Sequence, residues 1–150
     1  MSKINALRIV NFSYNNNSMK IDDEIFELGG ESTLLSLRNG GGKSVMVQLM
    51  MAPFVNKRYR DLKDRTFKSY FTQTSPTYIL TEWVLDGGVG YVLIGMMVRK
   101  RLISSDDDSG DDLDILTFIH EYRANSKYDI HNFPAVEIDK NIKKIKSFST

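Results

Sequence analysis

The stretch from Ser32 to Pro53, STLLSLRNGGGKSVMVQLMMAP, constrains the fold more than any other part of the chain. Thr33, Leu35 and Leu37 alternate with Leu34 and Ser36, a pattern that predicts a buried strand. The chain then turns through Asn39-Gly40-Gly41-Gly42-Lys43-Ser44 and continues as Val45–Ala52, apolar on nearly every face, which predicts a helix seated in a core. Pro53 closes that helix, because the residue before a proline is pushed out of the helical region. Strand, glycine loop, Gly-Lys-Ser, helix is the order of a phosphate-binding P-loop.

The residue types fit that chemistry. Three successive glycines carry no β-carbons, so main-chain N–H groups can turn inward and close on a polyphosphate. The following helix adds its free N-terminal N–H groups and the positive end of its dipole. Lys43 is placed to reach the outer phosphates as a point charge, and the Ser44 hydroxyl to ligate Mg²⁺. Asn39, Gly40, Gly41, Gly42, Lys43, Ser44 and Val45 are therefore the candidate nucleotide-binding residues, with Ser44 also the candidate metal ligand. One position departs from the general pattern G-x-x-x-x-G-K-[ST]: Leu37 stands where the leading glycine belongs.

Length and composition bound the rest. At 150 residues, 41% hydrophobic and 26% charged, the chain has the make-up of about one globular domain. The formal net charge of +1 gives no global field toward nucleic acid, so only local patches can argue for it. Cysteine is absent, which removes disulfides, thiolate metal sites and cysteine nucleophiles and fits a reducing cytoplasm. The Met1–Asn5 start lacks a signal-peptide core, and the apolar runs are too short to span a bilayer, so a cytoplasmic location without membrane contact is expected.

Along the chain, Ile4–Phe12 reads as a first strand, 15–18 as a turn, and Met19–Leu28 as a second strand ending at Gly29-Gly30. An opening of the type L-R-I-x-N-F, a hairpin, and then N-G-x-G-K-S resembles the N-terminal half of an ABC-type ATPase head of the SMC, MukB and RecF group. Asn39, Gly40, Gly42, Lys43 and Ser44 match that group's phosphate loop position by position. Pro76-Thr77-Tyr78-Ile79 followed by Glu82-Trp83 is similar to the corresponding hairpin of MukB-like heads, including the JetC type of anti-plasmid systems. The resemblance implies an α/β fold: a P-loop NTPase head, N-terminal lobe, with a mixed sheet plus antiparallel hairpins. It further implies ATP and Mg²⁺ as cofactors. In that group the head is split, and a C-terminal part brings the signature loop and the acidic Mg²⁺ site. Residues 1–150 are thus expected to be the N-terminal part of a head, to bind ATP, and not to hydrolyse it alone. The implied partners are the C-terminal half of the head, or a second head in an ATP-sandwiched dimer, and DNA for the full assembly.

Asn56–Tyr70 reads as a basic helix with interleaved aromatics, and Arg58 and Arg60 are candidates for nucleotide or DNA contact. In SMC-type heads an arginine shortly after the P-loop helix contacts nucleotide. Thr77–Leu85 and Val89–Arg101 read as strands joined by the hairpin turn Asp86-Gly87-Gly88. Ser104–Asp112 is an acidic loop that fails calcium-loop spacing. Ile115–Tyr122 reads as another strand, and Asn141–Phe148 as the start of a helix. The apolar run Ile115–Ile119 leads into His120, not the aspartate that would hold Mg²⁺, and the two histidines form no helical metal pair. Two other function classes stay open at this level: a nucleic-acid-binding module without nucleotide chemistry, and a P-loop kinase or other phosphotransferase.

Overall fold

A computed structural model describes residues 3–14, 19–29, 43–61, 66–71, 73–101, 113–124, 126–127, 129–139 and 142–145. Five strands form one antiparallel sheet: β1 (Lys3–Tyr14), β2 (Met19–Glu27), β3 (Thr77–Val84), β4 (Tyr91–Lys100) and β5 (Leu113–Tyr122). Their order is β2-β1-β3-β4-β5, so the first hairpin is joined to the later meander through the β1–β3 pair. A helix, α1 (Lys43–Met51), stands between β2 and β3 in the chain. A separate two-stranded ribbon, β6 (Val136–Asp139) and β7 (Ile142–Ile145), follows the sheet.

The sheet is covered on both sides, and that explains the composition of its central strands. On one face Val45, Met46, Leu49 and Ala52, together with Phe67, Tyr70 and Phe71, pack over Leu7, Ile9, Phe12, Ile79, Met96 and Val98. On the other, Ile130 and Ala135 pack with the half-buried Phe133, Val136 and Ile145 over Ala6, Val10, Tyr78, Leu80, Leu93 and Met97. Successive residues of a strand point to opposite faces, so β1, β3 and β4 must be apolar on both. β3 is accordingly buried from Thr77 through Glu82.

Glycines serve the sheet at two points. Gly87 and Gly88, at φ 78° and 67°, make the β3–β4 turn that L-residues with side chains disfavour. Gly95 lies directly opposite Phe118, and a β-carbon on it would come within 2.3 Å of that ring. The missing side chain therefore makes room for Phe118, whose ring stacks on Phe133 at 5.2 Å.

Two elements differ from the sequence expectation. Residues 142–145 form strand β7 against β6, with Val136 opposite Ile145, and not the start of a helix. The isoleucine spacing in NIKKIKSF suits a helix, but the neighbouring Val136–Asp139 segment supplies a cross-strand partner that a single-segment reading does not contain. Within 56–70 the described residues make two short 3₁₀ turns, Lys57–Tyr59 and Phe67–Tyr70, not one helix. Asp61 Oδ1 accepts the Phe67 N–H at 2.7 Å, an alternative to helical pairing, while Phe67, Tyr70 and Phe71 turn into the core. The strand expected over 33–37 and the acidic 104–112 loop lie outside the described residues, and the mixed sheet that was expected is, as far as it is described, antiparallel at every pairing.

Candidate functional site

Of the expected phosphate loop, Asn39, Gly40, Gly41 and Gly42 lie outside the described residues. Lys43 and Ser44 are described as backbone, and they open α1. The helix therefore starts at the lysine of the Gly-Lys-Ser run. Its first turn contains no acidic residue, so no carboxylate of that turn competes for the N–H groups that lack a partner within the helix or for the positive dipole end. Among the described residues no group of three or more His, Cys, Asp or Glu could hold a metal by itself.

The helix is fixed from behind. Val45, Leu49 and Ala52 are fully buried against the sheet. Gln48, the one polar residue in the run VMVQLMM, is also buried. Its amide donates to the Arg60 carbonyl at 2.6 Å, and its Oε1 accepts a short hydrogen bond from the Tyr70 hydroxyl. Both ends of the amide are thus satisfied inside the protein. The opposite face of α1 stays in solvent, with Val47 and Met51 exposed. Next to it Phe54 meets Trp83 edge-on at 5.2 Å, which gives Trp83 a packing role.

Arg58 and Arg60 are not equivalent. Arg60 Nε donates to the Ala52 carbonyl at 3.1 Å, capping the last turn of α1, and the guanidinium lies over the Phe67 ring at 5.8 Å. Burial lowers its pKa from the ordinary arginine value. A nine-residue helix is about 13 Å long, so Arg60 is engaged at the end of α1 away from Lys43. Arg58 is exposed and lies over the exposed Tyr59 ring at 4.6 Å. The structure therefore assigns Arg60 to the helix C-terminus and leaves Arg58 on the surface.

Two buried polar clusters were not singled out by the sequence reading. On the face away from α1, Arg8 is 5% exposed and pairs with Asp23 through both guanidinium edges, at 2.8 and 2.7 Å. It also donates to the carbonyls of Ile130 and Phe133, at 3.0 and 2.8 Å. Glu82, 4% exposed, accepts from Asn5 Nδ2 at 2.6 Å and from the Tyr122 hydroxyl through a short bond. Burial and that carboxylate raise the Tyr122 pKa far above its ordinary value, so the phenol remains a donor. Both clusters tie the 129–136 segment to the sheet, since Tyr122 also accepts the Ile130 N–H at 3.2 Å. The sequence signal was an arginine and a glutamate inside otherwise apolar strands.

His120 and Glu121, the end of the run considered for an acidic Mg²⁺ site, are exposed on β5. No helix of the described residues is long and apolar enough to cross a membrane. No family model, curated protein or solved structure matches the chain.

Proposed function

We propose that the chain binds Mg-ATP at the N-terminus of α1 as the N-terminal part of an SMC-like ATPase head acting on DNA. One observation carries the reading: a helix anchored in the core begins at Lys43, directly after three glycines. The backbone of Gly40–Gly42 and the first N–H groups of α1 would hold the phosphate chain. Lys43 would balance its outer charge, and the Ser44 hydroxyl would orient the metal. Bound Mg-ATP supplies the hydrolysable anhydride, and the residues of this chain bind and orient it. The signature loop and catalytic carboxylate would come from the C-terminal half of the head or from a second head.

Calorimetric titration of the chain with Mg-ATP tests the proposal. Binding by the wild type that is lost in Lys43→Ala, with the fold retained by circular dichroism, supports it. Equal affinity in both proteins removes Lys43 from any nucleotide site. Sustained phosphate release by the isolated chain would instead favour a self-sufficient phosphotransferase.

A further inference from the structure

The two outer strands of the sheet are built differently. β2 carries Asp22, Asp23 and Glu24 in succession, all exposed, and such charge discourages edge-to-edge pairing. β5 exposes Ile115, Leu116 and Ile119, the last at 70%, and among the described residues no strand pairs with its outer side. A long outer strand with apolar side chains is a template for another strand.

The sequence of β5 narrows what that strand is. Around Thr117 it is chemically palindromic: Leu116 mirrors Phe118, Ile115 mirrors Ile119, and Asp114 mirrors His120. Two antiparallel strands related by a two-fold axis bring each residue opposite its mirror position, which is the condition for a self-complementary interface. We propose that β5 pairs with β5 of a second copy of this chain, centred on Thr117, joining the two sheets into one.

In that register Ile115 and Ile119 of each copy meet on the α1 face, with the two threonines on the axis. Leu116 meets Phe118 on the opposite face, where Phe118 is already braced by Phe133. Cross-strand apolar pairs of this kind are the stabilising unit of a sheet. His120 falls opposite Asp114, a carboxylate already bridged by Arg101 at 2.9 Å and Arg99 at 3.3 Å, so no two acidic groups are opposed. A shift by one residue would place Ile119 opposite Asp114 and lose the match. This pairing does not rest on the nucleotide reading, since it uses β5 and no residue of the Lys43 region.

Sedimentation equilibrium without nucleotide tests it. The wild type should show twice the chain mass of 17.2 kDa. Thr117 is exposed, so Thr117→Lys and Thr117→Asp should fold normally, yet each should sediment as a monomer because like charges meet on the axis. An equal mixture of the two should recover the dimer. The chain has no cysteine, so single-cysteine variants report the register cleanly. Thr117→Cys should oxidise to a covalent dimer, and Ile115→Cys should cross-link with Ile119→Cys but not with itself. A wild type that stays monomeric at its highest soluble concentration overturns the proposal. So does a dimer indifferent to Thr117→Lys, which would use another surface, or one that forms only with Mg-ATP.

Discussion

Replacing Arg8 by Met keeps the aliphatic stem and removes the guanidinium that joins β1, β2 and the 129–136 segment. Four bonds of good geometry are lost, two to Asp23 and two to the carbonyls of Ile130 and Phe133. The Asp23 side chain is 36% exposed, so water recovers much of its loss. Ile130 is fully buried, and its carbonyl is left without this donor, a penalty of about 1–3 kcal/mol. Breaking a fully buried ion pair costs about 3–5 kcal/mol; with Arg8 buried but Asp23 partly in water, the net effect falls at or below the lower end, about 3 kcal/mol at most. For a chain of this size that corresponds to a fall in Tm of roughly 6–12 °C. Urea unfolding gives the stability change, and limited proteolysis reports whether 129–136 detaches first. Asp23→Asn should cost less, about 1–2 kcal/mol, because Arg8 keeps its carbonyls and one amide oxygen. Loss of under about 1 kcal/mol in Arg8→Met, with unchanged cleavage of 129–136, would refute the idea that this arginine holds the segment to the sheet.

Gly95→Ala should destabilise by about 1–3 kcal/mol in urea unfolding, because the new methyl meets Phe118 at 2.3 Å and Leu80 at 2.9 Å. Pairing it with Phe118→Leu should recover part of the loss. Tyr70→Phe should cost about 1–2 kcal/mol, since Gln48 Oε1 loses its hydroxyl donor inside the core. Hydrogen exchange should then show faster opening of α1 than of β3.

The sheet was legible where local pattern and turn chemistry agree. Thr77–Val84 and Tyr91–Lys100 are rich in β-branched and aromatic residues, and Asp86-Gly87-Gly88 between them can only turn. The end of α1 was legible from Pro53, and its start from the Gly-Lys-Ser run. Features that depend on a distant partner were not. Residues 142–145 are a strand because β6 lies beside them, and Lys57–Tyr59 and Phe67–Tyr70 are separate turns because Arg60 and Asp61 bond elsewhere. The exposure of Ile115 and Ile119 follows from the position of β5 at the sheet edge, which its composition does not reveal. At the candidate site the glycine loop stays an expectation from the sequence, because residues 39–42 lie outside the described ones. The support behind the helix was not legible, because Gln48 finds Tyr70 across 22 residues.

Titration of the chain with Mg-ATP, wild type against Lys43→Ala, addresses the central claim most directly. The account predicts saturable one-site binding by the wild type and a loss of about 100-fold in Lys43→Ala, about 2.8 kcal/mol. Wild-type heats no different from dilution, or identical isotherms for the two proteins, would contradict it.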